Sequence, residues 1–139
     1  MNYEFELKKI EDYVIKYLNE HSNANLYYHN LTHTTEVLAA TKEIAGYYKL
    51  DENACFLLSA AAWFHEIGYQ VDMANHEAVS AGIAAMYLKN IMLNEEEIEV
   101  IKKCILATKV PQEPHSLFEE IICDADLYYL GTDRYKQTS

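Results

Sequence analysis

The chain has 139 residues, half of them hydrophobic, which is enough for one buried core and too apolar for a disordered segment. Its formal net charge of -11 argues against a nucleic-acid backbone or an anionic membrane as partner, since both need clustered Lys and Arg. With four Gly and two Pro, the chain reads as helices joined by short connections.

The first helical pattern runs from about Tyr3 to Leu18, with Tyr3, Leu7, Ile10, Val14, Tyr17 and Leu18 on one face. His21 to Asn25 is a polar break. Helical pattern resumes near Leu31 and carries Val37, Leu38, Ile44 and Tyr48. Asp51 is placed to cap a third helix holding Ala54, Leu57, Leu58, Ala61 and Ala62. That helix is apolar on most sides, so it belongs at the centre of the fold, and it ends near Gly68.

A fourth helix is expected from near Asn75 to Asn90, with Val79, Ile83, Met86 and Tyr87 inward. Asn94 and Glu97 form a capping-box signal for a fifth, carrying Ile98, Ile101 and Ile105. Pro111 to Pro114 is a loop. Ser116 and Glu119 repeat the capping signal for a last helix through Ile122 and on toward Leu130. The expected class is all-α: a single compact bundle of five to six helices, one domain over residues 1–139.

The longest apolar run, Cys55 to Phe64, is too short for a membrane span. Met1 to Ile10 is charged and mixed, unlike a signal peptide. Cys55, Cys104 and Cys123 are widely spaced among apolar residues, which fits free thiols and a cytoplasmic location. The twelve tyrosines fit either a homo-oligomer interface or half-buried core.

Four polar clusters interrupt the apolar pattern. Tyr28-His29-Asn30-Leu31-Thr32-His33 places His33 in a first helical turn and His29 just outside it, if the helix starts near Asn30. Surface histidines explain that pair more simply. His65-Glu66 ends the most apolar helix beside Trp63 and Phe64, where a titratable pair needs compensation such as a bound cation. An ordinary polar helix end explains it about equally well. Asn75-His76-Glu77 sits at a helix start, where Glu77 suits the dipole without any further role. Asp124 and Asp126 interrupt an apolar stretch from Ile121 to Leu130, and a solvated face explains one of them easily. Together the clusters supply the mixed imidazole and carboxylate donors with which a helical bundle builds a hydrolytic metal site.

From Tyr28 to Gly131 the chain resembles the HD-domain superfamily of metal-dependent phosphohydrolases. The signature of that superfamily is a His, then a consecutive His-Asp pair, then a distant Asp. Here His33, His65-Glu66 and Asp126 stand in that order, within Tyr-His-Asn, Ala-Trp-Phe-His-Glu-Ile-Gly-Tyr and Asp-Ala-Asp-Leu contexts. The resemblance implies an HD-domain-like fold and a divalent ion (Mn, Fe, Ni, Zn or Mg) on His33, His65, Glu66 and Asp126. It also implies hydrolysis of a small phosphorylated substrate, nucleotide-like, by a metal-activated water. His29 resembles a general acid for the leaving oxygen, and Glu66 takes the place of an aspartate that bridges metals or orients water. His76, Asp124 and Lys109 are implied as substrate or second-metal contacts, although a solvated helix end explains Lys109 better.

Two departures matter. Glu66 is longer than the aspartate of the signature by one methylene, about 1.5 Å of reach. The chain also runs only from Thr132 to Ser139 after Gly131, which reads as a truncated or divergent form. Both features motivate the alternative of a catalytically weak or inactive domain with a ligand-binding or regulatory role.

Overall fold

In the computed structural model, which describes residues 1–128, six helices form in chain order. They are α1 (Tyr3–His21), α2 (Ala24–Tyr47), α3 (Glu52–Phe64), α4 (His76–Leu88), α5 (Glu95–Ala107) and α6 (Leu117–Asp126). No strand occurs among the described residues. The expectations for Leu130, Gly131 and the tail from Thr132 lie outside the described residues.

Side-chain capping sets several of the starts. Asn2, Asn23, Asp51, Asn94 and Ser116 each accept a hydrogen bond from a backbone N–H of the first turn, satisfying a donor that the helix leaves open. Asn94 and Glu97 form the full reciprocal capping box.

The second helix starts at Ala24 rather than near Leu31, because Asn23 caps it through Leu26 N at 2.9 Å. His29 and His33 are therefore both inside α2, and His33 lies well beyond its first turn. The chain leaves α2 through Lys49, a non-glycine residue at φ 56°, while Leu50 N donates to Ala45 O.

Helix α3 is the axis of the bundle and packs against all five other helices. Every residue from Phe56 to Phe64 is buried, which is what an apolar pattern on most sides requires. Ile10, Val14 and Leu18 of α1, Ile101 and Ile105 of α5, and Ile121 and Ile122 of α6 complete the core around it. Helix α4 turns Ile83 and Tyr87 onto the core as expected and keeps Val79 half-buried, but Met86 departs from that face. Ala81, Ala84 and Leu88 are buried, while Met86 is 72% exposed. Its small residues allow close helix approach, a signal that counting large apolar side chains passes over.

Helix α3 stops at Phe64, earlier than Gly68, and a run of turns follows from His65. Gly68 has no positive φ. Its small size serves packing: a Cβ there would lie 2.8 Å from Val79 Cβ and Cγ1 and 2.9 Å from the His76 carbonyl oxygen. Gly68 N also donates to Ser80 Oγ at 2.9 Å. The turn after α3 is thereby pressed onto the start of α4.

Candidate metal centre

Three helices deliver the polar side chains to one end of α3. His33 comes from α2, His65 and Glu66 from the turn that leaves α3, and Asp126 from the end of α6. One ligand atom from each lies within 4.8 Å of the others. His33 Nε2 is 2.9 Å from Asp126 Oδ1 and 3.9 Å from Glu66 Oε1. His65 Nε2 is 3.4 Å from Asp126 Oδ1 and 3.8 Å from Glu66 Oε1.

His65 is fully buried, and its two ring nitrogens have different surroundings. Nδ1 is 2.7 Å from Ala62 O and donates its proton to that carbonyl. Nε2 is buried and makes no hydrogen bond, although two carboxylates lie within 4 Å. In the neutral ring, a backbone-bonded Nδ1–H leaves the Nε2 lone pair for a ligand. An orphaned imidazole nitrogen among a second histidine and two carboxylates fits a divalent cation.

The titration of the group follows from the same geometry. Burial pulls the His65 pKa down, but Asp126, Glu66 and the Ala62 carbonyl outweigh it and raise it to about 9. Burial pushes the Asp126 carboxyl up, and the imidazoles of His33 and His65 outweigh that and hold it well below the usual carboxylate range.

The cluster is open on one side. His65 is sealed, whereas the side chains of His33, Glu66 and Asp126 are 28%, 17% and 14% exposed. A closed four-ligand site suits a structural ion, and a site reachable from solvent suits one that meets a substrate.

His76 stands beside this group. Its Nε2 is 3.8 Å from Glu66 Oε1 and 3.0 Å from Glu77 Oε2, and its Nδ1 faces Met73 O at 3.1 Å. Tyr69 packs edge-on against its ring. Glu66 Oε1 thus lies 3.8–3.9 Å from the Nε2 atoms of three histidines, a central place among them.

The other candidates lie apart from the four-residue group. His29 is exposed on α2, one turn before His33, and lines a shallow hollow of about 210 Å³ with Asn25, Tyr28 and Thr32. Lys109 is exposed and lines a different hollow of about 500 Å³ with Lys103, Val110 and His115. Asp124 is exposed on α6. Residues two apart on a helix point in different directions, so Asp126 turns inward where Asp124 does not.

Four further polar residues make contacts that the sequence does not assign. Gln112 Nε2 donates to Asp126 Oδ2 at 3.0 Å. Asn30, buried on α2, donates to Gln70 Oε1 at 3.2 Å, and Gln70 Nε2 donates to Ile67 O at 2.6 Å. Glu77 is buried and partnered by His76. Gln70 and Gln112 sit in connecting segments, where periodicity carries no information, and Asn30 was visible only as a neighbour of His29.

The remaining sequence expectations concern thiols and the membrane. Burial pushes the thiols of Cys104 and Cys123 up to about 12 and about 11, which makes them inert. No helix among the described residues is long and apolar enough to cross a membrane.

No family model matches the chain, and no curated protein matches it by sequence. Among solved structures, the chain is similar to a predicted HD superfamily hydrolase from an uncultured Thermotogales bacterium. The TM-score is 0.73 at 22% identity, over 91% of this chain and 72% of the other. The fold is therefore HD-domain-like: an all-α arrangement with a His/Glu/Asp group able to hold a metal ion.

Proposed function

We propose that this protein is a metal-dependent phosphohydrolase acting on a small phosphoester, nucleotide-like in class, with its ion held by His33, His65, Glu66 and Asp126. The observation that carries the reading is the convergence of those four side chains around the orphaned Nε2 of buried His65. The likeness in fold to a predicted hydrolase adds support.

A divalent ion bound there supplies Lewis acidity, which makes water nucleophilic at neutral pH and offsets phosphoryl charge. The residues of the chain supply the rest. His65 gives a fixed nitrogen, because its Nδ1–H is tied to Ala62 O and its ring is enclosed. His33 and Asp126 bring α2 and α6 onto that nitrogen. Glu66 Oε1, central among three imidazoles, is placed to ligate or to hold an attacking water. His76, steadied by Glu77 and Met73 O and 3.8 Å from Glu66 Oε1, would help hold a second ion or contact a phosphoryl oxygen. His29, exposed one turn before His33 on α2, is the candidate to give a leaving group its proton. With a net charge of -11, a local cation would offset the chain's repulsion of an anionic substrate.

The test is metal analysis of protein purified without chelator, followed by a phosphoester panel with Mn, Fe, Ni, Zn and Mg added in turn. Uptake of a divalent ion with turnover of at least one ester is expected. Failure to take up any ion, with no hydrolysis, overturns the reading. Uptake without turnover supports the regulatory alternative that the glutamate at position 66 motivates.

A further inference from the structure

We infer that Gln112 is a positioning residue that forces Asp126 to offer a single oxygen to the site, and that it thereby tunes which divalent ion the site accepts. The inference rests on the metal-site reading above and concerns a residue outside the ligand set.

The geometry is specific to the two carboxylate oxygens. Asp126 Oδ1 faces His33 Nε2 at 2.9 Å and His65 Nε2 at 3.4 Å. Asp126 Oδ2 accepts from Gln112 Nε2 at 3.0 Å. The same amide nitrogen also lies 3.2 Å from Thr108 O at the end of α5. Gln112 therefore ties the carboxylate of α6 to the backbone of α5, across the loop that contains Pro111 and Pro114.

The orientation of the amide is dictated by charge. Turning it over would set Gln112 Oε1 against a carboxylate oxygen and against a carbonyl, two acceptors facing an acceptor. Keeping the nitrogen on Asp126 leaves Oε1 buried without a hydrogen-bond partner. A buried acceptor without a partner is unfavourable. The side chain nevertheless holds this arrangement, because both of its donor contacts are made at the nitrogen.

An oxygen engaged by an N–H is poorly available to a cation, so Asp126 is expected to bind through Oδ1 alone. Mn²⁺, Ni²⁺ and Zn²⁺ accept mixed imidazole and one-oxygen carboxylate ligation. Ca²⁺ is larger, takes six to eight oxygen ligands and gains from two-oxygen carboxylates. Holding Oδ2 out of reach should strengthen selection for the smaller ions. Partners of ligating carboxylates typically change metal affinity by about 10–100-fold when removed.

The experiment compares wild type with Gln112→Met, which keeps the length and removes the donor. Calorimetric titration with Mn²⁺ and with Ca²⁺ gives two affinities per protein. In Gln112→Met Mn²⁺ affinity should fall at least tenfold relative to wild type, and the Mn²⁺-over-Ca²⁺ preference should narrow. Unchanged Mn²⁺ affinity and preference in Gln112→Met overturn the inference. Should Gln112→Met fail to fold by circular dichroism, Gln112→Ser takes its place with the same readout.

If wild type binds no divalent ion, the metal-hydrolase reading fails by itself. The positioning inference is then read in metal-free protein from the Gln112 side-chain amide resonances. Their shift on Asp126→Asn supports the contact, and unchanged resonances overturn it.

Discussion

His33 Nε2 and Asp126 Oδ1 lie 2.9 Å apart, although 93 residues separate them in sequence. The contact joins α2 to α6 over the sealed ring of His65. It is shorter than the approaches of His33 and His65 to Glu66 and of His65 to Asp126. Removing either partner should therefore have two effects. His33→Ala and Asp126→Ala are each expected to lower divalent-ion affinity at least tenfold. Each should also cost metal-stripped protein about 1.5–3 kcal/mol, the worth of a hydrogen bond to a charged group. The double variant should lose less than the sum, because the two changes delete one shared contact. Denaturant melts and metal titration of the three proteins check this. Additive losses would mean that the two side chains act independently.

Glu66 can be judged from its reach. Its Oε1 already lies among the Nε2 atoms of His33, His65 and His76. Glu66→Asp withdraws that oxygen by about 1.5 Å. Metal affinity is expected to fall in Glu66→Asp and to fall further in Glu66→Gln, which also loses the charge. The measurement is again ion binding, with turnover recorded alongside. A Glu66→Asp protein that binds more tightly and turns over faster would show that the longer side chain detunes the site.

Stability of metal-stripped protein should decline as pH rises through the alkaline range. The His65 pKa is raised from 6.5 to about 9 in the fold, where Asp126, Glu66 and the Ala62 carbonyl outweigh the effect of burial. A raised folded-state pKa contributes stability that is fully present below 6.5 and is lost as pH passes about 9. Ion affinity should run the other way and rise with pH over the same window, since ion and proton compete for one nitrogen. Thermal melts with and without chelator, compared with Asp126→Asn, test both slopes. A chelated wild type whose melting temperature shows no more alkaline decline than that of Asp126→Asn would contradict the assignment.

Gly68→Ala probes how the site is held against α4. The new Cβ would meet Val79 at 2.8 Å and the His76 backbone oxygen at 2.9 Å, and a backbone atom cannot swing aside. Overpacking of this kind typically costs about 1–3 kcal/mol. The shift should also move His76 relative to Glu66. A chemical denaturation curve gives the first effect, and the His76 ring resonances give the second. A variant as stable as wild type with unmoved His76 signals would show that the turn after α3 adapts freely.

Much of this protein is written in its sequence. The periodic apolar residues of α1, the uniformly apolar α3, and the caps at Asp51, Asn94 and Ser116 define helices through interactions within one element or its first turn. The donor types of the site are equally local, since histidine and carboxylate in apolar company need a partner wherever they fold. What the sequence could not decide is where separate elements meet. The early start of α2 at Ala24 set the turn on which His29 and His33 fall. Close packing by Ala81 and Ala84 turned Met86 outward. Only the tertiary arrangement left Nε2 of His65 without a hydrogen bond, separated inward Asp126 from exposed Asp124, and brought Gln112 from a loop onto Asp126. Periodicity reports which side of a helix is buried, but atoms from helices 93 residues apart meet only once the core between them has packed.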